Sequence, residues 1–174
     1  RYQEAGYDGV EVMASHGLML AQFLNPRINV RNDDYGGSQK NRMRFLSEVL
    51  REIRRQIGQR LALGVRISGR ELSAQGLEAD EVSAVLKALD AEGLLDFVDL
   101  CGGSMTDIVG SVHAVPPMNL EPCYLTPVSK RIREEIALPI LVAGRINDPR
   151  VAERVLTAGE ADLVGMTRAQ ICDP

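Results

Sequence analysis

The sequence predicts an α/β fold, the C-terminal part of a (β/α)8 barrel. Three observations predict it. Apolar, β-branched runs alternate strictly with helical patterns, at a period of about 35–45 residues that matches one βα unit. Two of the strand-to-helix connections are long and polar, the kind of loop in which barrels keep their active sites. Residues able to carry chemistry follow several strand ends rather than one switch point, which favours a barrel over a doubly wound sheet.

The first strand is Asp8–Met13, a buried parallel strand by its composition. A long loop follows, with His16, Asn25-Pro26, Asn29, Arg31, Asp33, Asp34 and Tyr35-Gly36-Gly37. Ser38 is an N-cap for a helix over Gln39–Ile57, whose Met43, Leu46, Val49, Leu50, Ile53 and Ile57 keep helical spacing, and Gly58 closes it. Leu61–Ser68 is the second strand, with Arg66 as a charge inside an apolar run. Leu77–Glu92 is a helix with acidic residues (Glu78, Asp80, Glu81) at the positive end of its dipole. Asp96–Leu100 is the third strand, and Cys101–Cys123 the second long loop, containing His113. Thr126-Pro127 opens a helix running to about Ile136. Pro139–Ala143 is the fourth strand, Arg150–Thr157 a helix opened by Asp148-Pro149, and Ala161–Gly165 the fifth strand. Residues 1–6 read as the end of a helix closed by Gly6, and the chain stops at Pro174 just after another could begin. One partial barrel domain over 1–174, cut at both ends, is therefore expected.

The composition narrows the function classes. A net charge of −4 with no dense basic cluster argues against nucleic acid. No apolar run approaches the ~18 residues of a membrane span. Three widely spaced cysteines (Cys101, Cys123, Cys172) form no CxxC pair, which favours a reducing cytoplasm over a disulfide framework or a zinc site. The expected partner is a small-molecule substrate, with homo-oligomerisation an option, and neither nucleic acid nor membrane.

Two turns carry the strongest local signal, Val142-Ala143-Gly144-Arg145 and Val164-Gly165-Met166-Thr167-Arg168. Glycine lets a backbone approach an anion and arginine supplies a forked donor, so the pair reads as a phosphate site, against surface arginines on plain turns. Arg66 either faces a ligand in the barrel mouth or is paired inside, for example with Glu11 on the preceding strand. His16 can donate to a carbonyl or oxyanion, or be a satisfied loop residue. His113 reads more simply as solvent-exposed. The 25–37 segment reads as a self-bonded loop in preference to a catalytic lid. The cysteines have no adjacent base and read as fillers.

Ala5-Gly-Tyr-Asp-Gly-Val-Glu-Val, His16-Gly, Gln22-Phe-Leu-Asn-Pro, Asn29-Val-Arg-Asn-Asp-Asp-Tyr-Gly-Gly-Ser and Asn41-Arg-Met-Arg-Phe resemble the Old Yellow Enzyme family of FMN oxidoreductases. Gly64-Val-Arg-Ile-Ser, Ala143-Gly-Arg-Ile and Ala161-Asp-Leu-Val-Gly-Met-Thr-Arg extend the resemblance over nearly the whole chain. Its flavour is the 2,4-dienoyl-CoA reductase and trimethylamine dehydrogenase branch. The resemblance implies barrel strands 4 to 8, FMN as cofactor and NAD(P)H as electron donor. In that branch a 4Fe-4S segment would lie beyond this chain. It implies that Arg66 contacts the flavin pyrimidine edge, and that Gly144, Arg145, Gly165, Thr167 and Arg168 hold the phosphate. It places His16 at the substrate, with His113 in a loop where some members carry a substrate-facing residue. Two positions depart from the family pattern. Met13 stands where the first of a paired set of donors is found, and Leu18 where a proton-donating tyrosine is common. The resemblance therefore implies hydride transfer between NAD(P)H, flavin and an unsaturated carbonyl or enoyl substrate. Amine oxidation or demethylation in the same family is the alternative. A non-catalytic phosphate-binding fragment is the rival from another class. A barrel aldolase is disfavoured because no strand ends in lysine.

Overall fold

Five parallel strands lie side by side in chain order in the computed structural model, which describes residues 1–173. They are β1 (Gly9–Ala14), β2 (Ala62–Arg70), β3 (Phe97–Gly102), β4 (Ile140–Ala143) and β5 (Leu163–Gly165). A doubly wound sheet reverses its strand order at a switch point. Here the order never reverses, so the sheet is part of a (β/α)8 barrel wall.

The alternation along each strand sorts the two faces. Val12, Leu63, Val65, Ile67, Val98, Leu100, Ile140 and Val142 enter one core with residues of the helices. These come from α2 (Gln39–Ile57) and α3 (Ala79–Ala91), and from α5 (Thr126–Arg133) and α6 (Pro149–Thr157). The other face carries a row in register, Met13, Arg66, Asp99, Leu141 and Leu163. Met13 and Leu163 at the ends of that row are 44% and 50% exposed, as expected of residues that face a barrel interior.

Two predicted helices sit where their caps place them, whereas the one expected from a Thr126 cap to Ile136 has Leu125 before it, without a side-chain cap, and ends at Arg133. Ser38 Oγ accepts the Asn41 N–H at 3.3 Å, and Asp148 accepts the Arg150 N–H at 2.8 Å. The helix expected from Leu77 starts instead at Ala79. The Leu77 N–H is taken by the buried Glu71 carboxylate at 2.7 Å, and Glu81 accepts the Glu78 N–H at 3.0 Å. Two short helices were not read from the sequence, α1 (Met19–Leu24) and α4 (Ile108–Ala114), while α7 (Arg168–Cys172) falls where a last helix could begin. Six or seven residues are too few for a periodic pattern to emerge. The expected chain break at Pro174 lies outside the described residues.

The 25–37 segment is the self-bonded loop its composition suggested. Asn25 is buried and donates to Gln75 O at 2.6 Å, and Asn29 donates to Phe23 O and Tyr35 O, both at 2.7 Å. Arg27 pairs with Glu81 at 2.7 Å and Arg31 with Asp33. Gly36 lies so close to the Arg31 backbone that any side chain would overlap it. This loop is tied to the loop after β2 and to α3.

Candidate functional site

The C-terminal strand ends open onto a cleft of about 690 Å³. Its lining includes Arg66 from β2, Gly144 and Arg145 after β4, and Gly165, Thr167 and Arg168 at and after β5. His113 and Tyr124 line it as well. Backbone strain concentrates at this end of the sheet. The four non-glycine residues with positive φ among the described residues are His16, Leu72, Cys123 and Arg145, all in the loops that follow β1 to β4. Such strain persists only where surrounding structure over-determines it.

Arg66 donates from one terminal nitrogen to Asp99 Oδ2 at 3.0 Å. The Glu11 partner considered from sequence is thus replaced by Asp99 on the next strand, level with Arg66 in the register. Burial opposes the Arg66 charge. Asp99, Cys101 and Glu11 outweigh it and hold the guanidinium above its ordinary pKa. Arg66 Nε is buried without a partner.

Arg145 and Arg168 reach the same segment. Arg145 donates to Leu120 O, and Arg168 to Pro116 O at 2.9 Å. Tyr124 donates to His113 O at 2.8 Å, so three side chains hold the 113–120 stretch against the cleft. Burial pushes the Tyr124 phenol up to about 12, which keeps it a donor. A side chain at Gly144 would press on Leu125 and Tyr124, and one at Gly102 on the same pair. The strand ends therefore stay bare because Tyr124 and Leu125 pack over them.

His16 stands apart from the lining of this cleft. Its backbone N–H donates to Ser68 Oγ at 3.1 Å, and it bridges to Ser104 on the loop after β3. Burial lowers its pKa first and the Arg66 charge lowers it further, so the imidazole is held neutral; its Nδ1 is buried without a partner. His113, expected in solvent, is half-buried with its ring 5.7 Å from Tyr124. It lies near the C-terminus of α4, which Asp107 caps by accepting the Gly110 N–H at 2.7 Å. Cys101 is buried beside Arg66, and burial raises its pKa, so it is a poor nucleophile.

The structure thus gathers Arg66, Gly144, Arg145, Gly165, Thr167, Arg168 and His113 around one cleft, with His16 near Arg66 but outside the lining. Sequence reasoning missed Asp99 and Tyr124. Asp99 carried the signal that exposed Arg66, an ion inside the apolar run Phe97-Val-Asp-Leu100. Tyr124 carried none, because only packing brings it over the strand ends.

A family model described as NADH:flavin oxidoreductase / NADH oxidase family matches residues 1–174. The N,N-dimethylglycine/sarcosine dehydrogenase of Chromohalobacter salexigens is 37% identical over 174 residues, 100% of this chain and 25% of that protein. An NADPH dehydrogenase of Bacillus subtilis is 34% identical over 174 residues, 100% of this chain and 48% of that protein. A solved complex of 2-naphthoyl-CoA reductase with 2-naphthoyl-CoA superposes with a TM-score of 0.87 at 31% identity, over 99% of this chain and 26% of that one. The chain spans a quarter to about half the length of these relatives.

Proposed function

The chain belongs to the NADH:flavin oxidoreductase / NADH oxidase family, and on that premise we propose that it forms one wall of an FMN site serving hydride transfer between NAD(P)H and an unsaturated carbonyl or enoyl-type substrate. The observation that carries this reading is the cleft that joins a half-buried, incompletely matched Arg66 to the arginines after β4 and β5. At ordinary strand spacing β2 lies about 10 Å from β4 and about 14 Å from β5, so the cationic groups are separated along the wall rather than clustered.

The residues fit a flavin phosphate. Arg66 Nε is a spare buried donor for an electron-rich ring edge. Thr167 precedes α7 with its hydroxyl uncommitted to a cap, and it lines the cleft with Arg145 and Arg168. Bound FMN would supply the two-electron carrier. The protein's part is positional and electrostatic. Arg66 favours negative charge at the ring edge it faces, and Arg145, Thr167, Arg168 and the Gly144 and Gly165 backbones hold the phosphate. Neutral His16 donates a hydrogen bond to the substrate oxygen, with His113, in the cleft lining, a second donor.

Two observations favour the related chemistry of amine oxidation or demethylation. The relative named N,N-dimethylglycine/sarcosine dehydrogenase is 37% identical, and Leu18 offers no hydroxyl for protonating a reduced alkene. The 4Fe-4S cluster expected in this branch would be held outside the chain. Among the described residues, no group of three or more His, Cys, Asp or Glu could bind a metal.

The test is a titration of the full-length protein with FMN, comparing wild type with Arg66→Ala. Loss of one charge-assisted contact of about 1.5–3 kcal/mol should weaken FMN at least about tenfold. Equal affinities would remove Arg66 from the cofactor site. No flavin binding at all would sink the oxidoreductase reading.

A further inference from the structure

The backbone at His16 takes a shape the chain would not adopt unaided. His16 has φ 57° and Gly17 has φ 71°, so two consecutive residues lie in the left-handed region. Glycine enters that region freely, whereas a histidine there is held by its surroundings. A side chain at Gly17 would come within 2.6 Å of Ser104 Oγ and of Thr106 Cγ2, so the turn is packed directly against the loop after β3. The same loop takes the His16 carbonyl, which accepts the Met105 N–H at 2.9 Å. The His16 N–H goes to Ser68 Oγ, on β2, at 3.1 Å.

Ser68 follows Arg66 by two residues, on the same face of β2 by strand alternation, and is 2% exposed. A hydroxyl offers one donor and two acceptor sites. Here the proton is given to Gly103 O at 2.8 Å, and a lone pair receives the His16 N–H. The Cys101 thiol lies 3.9 Å away as a weaker neighbour. One oxygen atom therefore joins the loops after β1 and β3 to the strand between them. An aliphatic side chain would leave the His16 N–H and a buried carbonyl without partners. The imidazole has no such anchor at Nδ1, which is buried and unpartnered, so the backbone carries the placement of the ring.

We propose that Ser68 is a positioning residue, holding His16 in its left-handed turn so that the imidazole stays beside Arg66. The placement stands on the geometry alone; its consequence for catalysis rests on the functional reading above. A substrate oxygen is gripped only at hydrogen-bond distance, so a ring displaced by about an ångström loses it. Burial and the Arg66 charge both keep the ring neutral where it is held, and a ring released from the turn is relieved of both.

The experiment uses the full-length protein loaded with FMN, and cyclohexenone as a probe of the unsaturated carbonyl class. In wild type the His16 amide should exchange slowly with deuterated water, as a hydrogen-bonded amide does. In Ser68→Ala it should exchange at least about tenfold faster, and the His16 ring should titrate closer to 6.5 than in wild type. The kcat/KM for cyclohexenone should fall about tenfold in Ser68→Ala, yet Ser68→Ala should cost nothing further in a His16→Ala background, because Ser68 acts through that ring. Ser68→Cys, which nearly preserves the volume and weakens both bonds, should change each quantity in the same direction by less, and it carries the test if the alanine variant does not fold. Fast exchange of the wild-type amide, an unmoved ring titration, or equal losses with and without His16 would overturn the inference. A wild type that reduces no cyclohexenone would instead overturn the functional reading, and the amide and ring measurements would still decide what holds His16.

Discussion

His16, in the loop after β1, feels the charge of Arg66 on β2. Burial and the guanidinium both push the His16 pKa below its ordinary 6.5. The sign of the linkage follows. A histidine lowered in the folded state contributes stability that is complete above the ordinary value and is lost as pH falls through the lowered one. His16 should therefore titrate in NMR with a midpoint below 6.5, and Arg66→Ala should move that midpoint upward by removing one of its two causes. A midpoint unmoved by Arg66→Ala would show that burial alone sets it. At this scale the sequence was half legible. Arg66 stood out as an ion inside a strand, but its partner Asp99 was passed over although the same argument applied to it. His113 read as exposed because nothing local announces that Tyr124 packs against it.

At the scale of elements, close approaches between neighbours explain glycines that propensity alone would call a weakness. Gly64 lies in the middle of β2, where glycine usually destabilises. Its missing side chain is the space occupied by the Phe97 ring of β3. Gly64→Ala should overlap that ring and destabilise the fold by about 1–3 kcal/mol, read as a lower urea midpoint at unchanged slope. A neutral result would mean that Phe97 can turn away at no cost. The long elements were legible because each carried a period and a cap: α2 runs over Gln39–Ile57 as predicted, from Ser38 to Gly58. The short helices α1 and α4 were not, since tertiary contacts and single caps such as Asp107 hold them rather than their own pattern.

For the whole molecule, the order of strands was the feature most open to inference, because strict βα alternation leaves only two layouts and the spread of polar strand ends chooses between them. The assignment of ligand ends to that wall is a separate matter, and it can be divided chemically. If Arg66 meets a ring and Arg145 and Arg168 meet a phosphate, the two groups must respond differently to a flavin that lacks phosphate. Arg145 and Arg168 each already donate to a carbonyl of the 116–120 stretch, so each keeps further N–H groups for an anion. Replacing both by Gln in the full-length protein should weaken FMN by at least about tenfold and leave riboflavin within about twofold, whereas Arg66→Ala should weaken both alike. Calorimetric titration of the two flavins separates the cases. Equal losses for FMN and riboflavin in the double variant would mean that these arginines act by holding the 116–120 stretch in place, and the phosphate would then need another set of donors.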